Sequence, residues 1–372
     1  MAVPLYNLSP VLVIMALGLA LALGPVLWVF ARKGASKPSA RWRALTLLTL
    51  FLTLDLVMFG AFTRLSDSGL GCPDWPGCYG EASPLAAHGP ISAAQAAMPS
   101  GPVTVSKAWV EMVHRYLATG VGALITLLMV ASWFEFKRQQ RPRALADWLP
   151  TMSFAWVCVQ GAFGALTVTM KLFPAIVSAH LLGAYLLLAL LTMQAIHTSA
   201  RDRASTGAEK KTTAPARFWI GAALALLVLQ AASGAWVSTN YAVLACTEFP
   251  QCQGQWWPAM DFVRGFELWR PLGENADGTV LSFQAVTAIH VAHRTLAMLT
   301  LCVLAALTWR LRHSPAVQVQ ARWLLGLVLM QLATGLSNVV LGWPMAAAIL
   351  HTGGAAALVA VLVWLMAAPR IQ

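Results

Sequence analysis

Nine long apolar runs, separated by short polar stretches, constrain this chain more than any other feature. They fall at 10–31, 44–64, 108–134, 148–168, 174–198, 218–239, 284–309, 323–342 and 346–367. About 20 apolar residues cross a bilayer as a helix. In lipid a lone segment must satisfy its own backbone, which a helix does. Composition agrees: 58% of residues are hydrophobic and 10% are charged, against roughly 25% charged in soluble domains. A typical soluble enzyme and a disordered chain are both excluded. No Lys or Arg precedes the run 10–31 and five follow it by residue 43. A cleavable signal has the reverse arrangement, so this run is expected to be an anchor.

The net charge of +11 would suit nucleic acid if it formed one patch, but it is distributed differently. Segments 32–43, 135–147, 199–217 and 310–322, with Arg370, hold 18 of the 25 Lys and Arg. All of them fall on one side of a membrane if the nine spans alternate, and the positive-inside rule makes that side cytoplasmic. The expected protein is multi-pass in the inner (cytoplasmic) membrane, with its N-terminus outside and its C-terminus cytoplasmic. Membrane lipid is its surroundings, and no nucleic-acid partner is expected. The long loops 65–107 and 240–283 then lie outside; loops of that length are usually functional.

The sequence repeats itself. "GAFTRLSDSGLGC" at Gly60–Cys72 matches "GAWVSTNYAVLAC" at Gly234–Cys246. "HRYLA" from His114 matches "HRTLA" from His293, and Gln160–His180 matches Gln331–His351 with equal spacing. The offsets of 174, 179 and 171 keep one register across four helices. The expected fold is therefore an all-α polytopic membrane protein. It has two parallel four-helix-bundle repeats, an eight-helix core, plus one extra N-terminal transmembrane helix. Its expected segments are 1–43 (extra helix and cytoplasmic loop), 44–198 (first half), 199–217 (cytoplasmic linker) and 218–367 (second half).

Four of the eight histidines occupy matching places: His114 and His180, then His293 and His351. Each lies five to ten residues inside the outer end of its span, roughly 8–15 Å deep at 1.5 Å per residue. A single membrane histidine is most often a hydrogen-bonded packing residue, but two pairs at equal depth are harder to explain that way. Paired neutral imidazoles from different helices suit the axial positions of a haem iron. Gly120, Gly122, Gly161, Gly164, Gly183, Gly335, Gly353 and Gly354 would give a flat macrocycle room, although small residues also serve helix packing. Zinc fits less well, because neither half supplies a third matched ligand.

The halves differ one turn before the first histidine, where Glu111 stands in one and His290 in the other. A buried carboxylate beside a haem edge reads as a proton donor or acceptor, or as a partner for an imidazole or Arg. His290 is an alternative ligand to His293. Asp55 reads equally as a helix-to-helix hydrogen bond or a functional group. Arg64, Arg115 and Arg294 suit haem propionates, or merely snorkel at helix ends. Cys72 with Cys78, and Cys246 with Cys252, lie six apart in the outer loops. Disulfides within each pair are expected in an oxidising compartment. Whether they only staple the loops or also exchange electrons is open. Cys158 and Cys302, within spans, are expected to pack inside.

"GAFTRLSDSGLGCPDWPGCYG", "EMVHRYLATGVG", "FPAIVSAHLLGAY", "HVAHRTLA" and "ILHTGGAAA" together resemble the haem A synthase family, over about residues 44–367. The resemblance implies a membrane oxidoreductase that converts a ring methyl of haem O to the formyl group of haem A, for terminal oxidases. It implies haem O as substrate between His114 and His180, with Glu111 as the catalytic carboxylate. It implies haem b as cofactor between His293 and His351. Haem O synthase and an electron donor are candidate partners. Helix 10–31 and His290 depart from the family pattern. The alternatives are a di-haem electron carrier oxidising quinol, and a haem transporter or chaperone. Glu111 in one half only favours one reactive and one inert site. Prenyl transfer fits poorly, because metal–diphosphate chemistry needs clustered acids and only Asp55 and Glu111 lie within spans.

Overall fold

The computed structural model describes residues 8–32, 38–139, 144–204 and 214–367. The helices are α1 (Ser9–Arg32), α2 (Pro38–Leu65), α3 (His88–Ala97), α4 (Val105–Gln139), α5 (Leu149–Thr169) and α6 (Pro174–Ala204). They continue as α7 (Ala214–Thr239), α8 (Phe262–Gly265), α9 (Phe283–Leu311), α10 (Gln318–Val340) and α11 (Met345–Met366). Among the described residues, nine are long and apolar enough to cross a membrane, all but the short α3 and α8. The same residues form only isolated β-bridges and no strand. The chain is an all-α polytopic membrane protein. Span edges fall within a few residues of the apolar runs, except where helix continues past them, as when 323–342 becomes Pro315–Val340. Residues 33–37, 140–143, 205–213 and 368–372, which carry much of the expected cytoplasmic charge, lie outside the described residues.

By packing, the chain divides into Met1–Leu172 and Phe173–Gln372. The expected boundary was the linker 199–217, of which residues 205–213 lie outside the described residues. The packing boundary precedes α6, which falls in the second unit. The cause is visible on its faces, which pack on α7 and α11. The hydroxyl of buried Tyr185 donates to the Thr352 carbonyl of α11 at 2.9 Å. Ser178 shares a hydrogen bond of 3.3 Å with Thr239 of α7. A buried hydroxyl in an apolar setting needs such a partner, and these two partners lie on helices of the second unit.

In the first unit α4 is central and packs against α1, α2, α3 and α5. The helix at 10–31 is a wall of this unit. Gly18 of α1 rests directly on Thr119, and a Cβ at Gly120 would meet Leu21 at 3.3 Å. Small residues permit that approach. Gly120 thus serves helix packing and not the space for a macrocycle expected of it. Ala22 and Val29 of α1 join Leu45, Leu124 and Leu128 in one apolar cluster. At the loop end of the helices, Ile14 packs with Cys72, Cys78, Ile91 and Met112, under the first long loop.

In the second unit α7 pairs with α9, and α10 with α11. Trp236, Val237, Val243 and Ile289 form a core below the second long loop. Arg270 of that loop is fully buried. Its guanidinium lies 5.5 Å from the Trp236 ring and donates to Asn240 Oδ1 at 2.6 Å and the Glu274 carbonyl at 3.0 Å. Burial pushes its pKa below the ordinary range while Glu267 draws it back up. Cys158 and Cys302 are exposed on α5 and α9, not packed inside as expected. A thiol behaves as a small apolar group, so facing lipid costs it little.

Candidate functional site

The two long loops close by the same local structure. Sγ atoms of Cys72 and Cys78 are 2.08 Å apart, and those of Cys246 and Cys252 are 1.99 Å apart. Trp75–Pro76 and Phe249–Pro250 are cis, and isolated bridges join Cys78 to Glu81 and Cys252 to Gln255. Gly80 and Gly254 follow with φ of +74° and +70°, a region open to glycine. An acidic side chain braces each turn. Asp74 accepts from the Tyr79 and Gly80 amides at 2.6 and 2.7 Å, and Glu248 from the Gly254 amide at 3.1 Å. Non-reducing peptide mapping with thiols blocked should return Cys72–Cys78 and Cys246–Cys252; a Cys72–Cys252 peptide would refute within-loop pairing.

An arginine beneath each loop clasps it. Arg115 donates to the carbonyls of Asp74, Pro76 and Gly77 at 3.0, 3.1 and 2.6 Å. Arg294 donates to Cys246 and Gln251 carbonyls at 2.8 and 3.1 Å. These guanidiniums, expected as propionate partners, are committed to loop backbone. Charge-assisted bonds of this kind are the strong ones. Arg64 lies half-buried at the end of α2, and Asp55 is exposed on α2.

Glu111 lies buried under the first loop, 4% exposed. One carboxylate oxygen accepts from the Cys72 amide at 2.8 Å, and the other is paired with Arg115. The partner reading of Glu111 is therefore realised in the structure, beside whatever chemistry it performs. His290 takes the matching place under the second loop, and its Nε2 accepts from Arg294 Nε at 3.1 Å. A neutral imidazole has one bare nitrogen, so this bond leaves His290 no lone pair for an iron while Arg294 holds it.

The paired histidines sit against glycine. A Cβ on Gly60 of α2 would stand 3.0 Å from His114 Nε2. One on Gly234 of α7 would stand 3.0 Å from His293 Cε1, and one on Gly335 of α10 would stand 3.2 Å from His351 Cε1. At each seat a Cβ would press the imidazole more tightly than side chains ordinarily pack. Gly60 and Gly234 escaped the sequence reading of small residues, although each opens a repeated motif. Gly354 backs onto Gln331 instead, and that side chain donates to the His351 carbonyl at 2.9 Å. His293 and His351 of the second unit lie within electrostatic reach of each other. His293 Nδ1 is 2.8 Å from Ser233 Oγ, and His351 Nδ1 is 2.9 Å from Thr334 Oγ1. His114 belongs to the first unit and His180 to the second. The Phe59 ring lies 6.2 Å from the His114 ring and nearly parallel to it. Buried His180 Nδ1 has no hydrogen-bond partner among the described residues. Among those residues no three His, Cys, Asp or Glu converge as a metal cluster, so the donors on offer are imidazoles.

The cytochrome oxidase assembly protein family, COX15-CtaA, matches residues 14–363. The chain belongs to this family. Its match begins inside α1, ahead of residue 44 where the motif resemblance starts. A relative from Shewanella oneidensis named haem A synthase is 38% identical over 317 residues, covering 85% of this chain and 93% of the relative. A haem A synthase from Rhizorhabdus wittichii is 28% identical, covering 90% and 96%. One from Halalkalibacterium halodurans is 26% identical, covering 82% and 89%. The COX15-CtaA match thus runs from within the first span to within the last and takes in both disulfide loops.

Proposed function

We propose that this chain is a haem A synthase, a membrane oxidoreductase that converts a ring methyl of haem O to the formyl group of haem A. The observation that carries the reading is the chain-long match to relatives of that name. The seats of His293 and His351 fit a haem. Each imidazole lies on a bare glycine, and each Nδ1 is within bonding distance of a hydroxyl, which leaves Nε2 for an iron. These two residues would hold haem b, which when bound would supply one-electron transfer. His114, on its own glycine, would be a ligand of haem O.

Methyl oxidation removes electrons and protons from a carbon that is not acidic. Glu111, paired with Arg115 and accepting from the Cys72 amide, is the group proposed to accept a proton or steady developing positive charge near His114. An anion in a low-dielectric site acts more strongly than in water. The disulfide loop above it keeps Glu111 from bulk water, since Cys72 and Cys78 are fully buried.

Extraction and chromatography of the haems from purified protein test the reading. Haem O or haem A beside haem b is expected; haem b alone, at two per chain, would make the protein an electron carrier instead.

The proposed setting is the inner membrane, with the N-terminus and both disulfide loops outside. A periplasm-dependent reporter fused after residue 90 or 265 should be active, and one fused after 140, 207 or 316 inactive. The opposite pattern would invert the orientation.

A further inference from the structure

Residues 261–270 of the second long loop are arranged inside out for a segment in water. Charge recurs at every third position: Asp261, Arg264, Glu267 and Arg270. Each of these side chains turns toward protein. Asp261 Oδ1 accepts from the Arg264 amide at 3.0 Å, and Glu267 accepts from the Ala276 amide at 2.9 Å. Arg264 pairs with Asp277 at 3.2 Å, and Arg270 is fully buried on Asn240. Between them Phe262, Val263, Phe266, Leu268 and Trp269 are all exposed. Trp256 and Trp257 stand just ahead, and those two with Val263, Leu268 and Trp269 are each 64–80% exposed. Single exposed apolar residues are ordinary, but a run of this size marks a surface that something covers.

The disulfide turn does not need its tryptophans. The first loop makes the same turn, and counting on from Cys78 and from Cys252 sets Ala82 and Ser83 against Trp256 and Trp257. Both indoles therefore serve something beyond the turn.

The depth of the segment identifies its cover. His293 rests on Gly234, and α7 ends five residues further on at Thr239, roughly 7–8 Å along the helix. Gly265 lies against Ala285 and Ile289 of α9, eight and four residues before His293, roughly 6–12 Å in the same direction. Its carbonyl accepts from Trp236 Nε1 of α7 at 2.8 Å. The Trp269 ring is 4.7 Å from that of Phe173, the residue before α6. Residues 262–269 thus run at the level where α6 begins and α7 ends, and Arg294 ties the disulfide turn to the same end of α9. These helices are membrane spans, so this level is a membrane–water boundary, where tryptophan is favoured.

We propose that residues 256–269 form an interfacial collar on the second unit, and that its partner is the boundary between headgroups and acyl chains in the leaflet on the long-loop side. The collar continues the lipid-facing surface of the spans. Its exposed apolar side chains enter the acyl edge while its charged positions stay with the loop. The proposal rests on the spans and not on the proposed function.

The test uses full-length protein in phosphatidylcholine vesicles. Cys158→Ser and Cys302→Ser leave a nitroxide on Val263→Cys as the single label, the other four cysteines being bonded. The label should collide more with oxygen, which dissolves in acyl chains, than with a water-soluble nickel chelate. The reverse order would overturn the proposal. Shielding from both would mean that protein, such as a second copy, covers the segment, and would overturn it as well. Trp256→Phe/Trp257→Phe gives a reading that needs no label. The fluorescence this variant loses should be quenched by phosphatidylcholine brominated near the headgroup end of its chains and spared by aqueous iodide. Quenching by iodide alone would overturn the proposal even if the labelled protein does not accumulate.

Discussion

Glu111→Gln should fold, keep haem b in its second half and make haem A about 10²–10⁴-fold more slowly, the usual cost of losing a general acid or base. The amide oxygen of Gln can still accept from the Cys72 amide, and Arg115 keeps its three loop carbonyls, so the loop should stay closed. What disappears is the negative charge and its capacity to take a proton. Extracted haems should then show haem O with an accumulated alcohol in place of haem A. Haem A at the parental level would reduce Glu111 to a brace between α4 and the disulfide loop. Loss of haem b as well would mean that the carboxylate acts through folding and not through chemistry.

His293→Ala or His351→Ala should abolish the six-coordinate, low-spin haem b spectrum, because either leaves the iron one axial ligand short. The second-unit seats make substitution by a neighbour difficult. His290, the nearest candidate on α9, has its Nε2 bonded to Arg294, which is itself fixed to the loop. A full six-coordinate spectrum in both variants would overturn the ligand assignment. Partial loss in His293→Ala that becomes complete on adding His290→Ala would show His290 breaking from Arg294 to bind.

Hydropathy made the spans legible because a lipid-facing helix needs apolar side chains on nearly every face, a signal that no local preference imitates. The disulfide pairs were legible from spacing and compartment. Arg115 and Arg294 were not. Their partners are backbone carbonyls, which every residue owns, so no side-chain pattern announces them. Ser233 and Thr334 were equally hidden, because a hydroxyl in a membrane helix ordinarily bonds the carbonyl one turn back and needs no other role. Both do make such a bond, and their second contact exists only once α7 meets α9 and α10 meets α11. The place of α6 was obscured for the opposite reason. The repeat is strong in sequence, and helix order along a chain does not say which neighbour a helix packs against.

The close fit of α1 along α4 bears on how the protein is made. Some seventy residues separate the end of α1 from the start of α4. At 5–20 residues per second, α1 enters the bilayer about 4–14 s before its main partner is synthesised. During that interval it has α2 beside it but not its main partner, and its composition allows this: between Ser9 and Phe30 it has no ionisable side chain. Helix α4 has no such independence, carrying Glu111 and Arg115 in its N-terminal third. Its acid and base need each other, and Arg115 also needs the loop synthesised before it. Birth order along the chain therefore puts the self-sufficient helix first, as a ready surface against which the one bearing buried charge can be received.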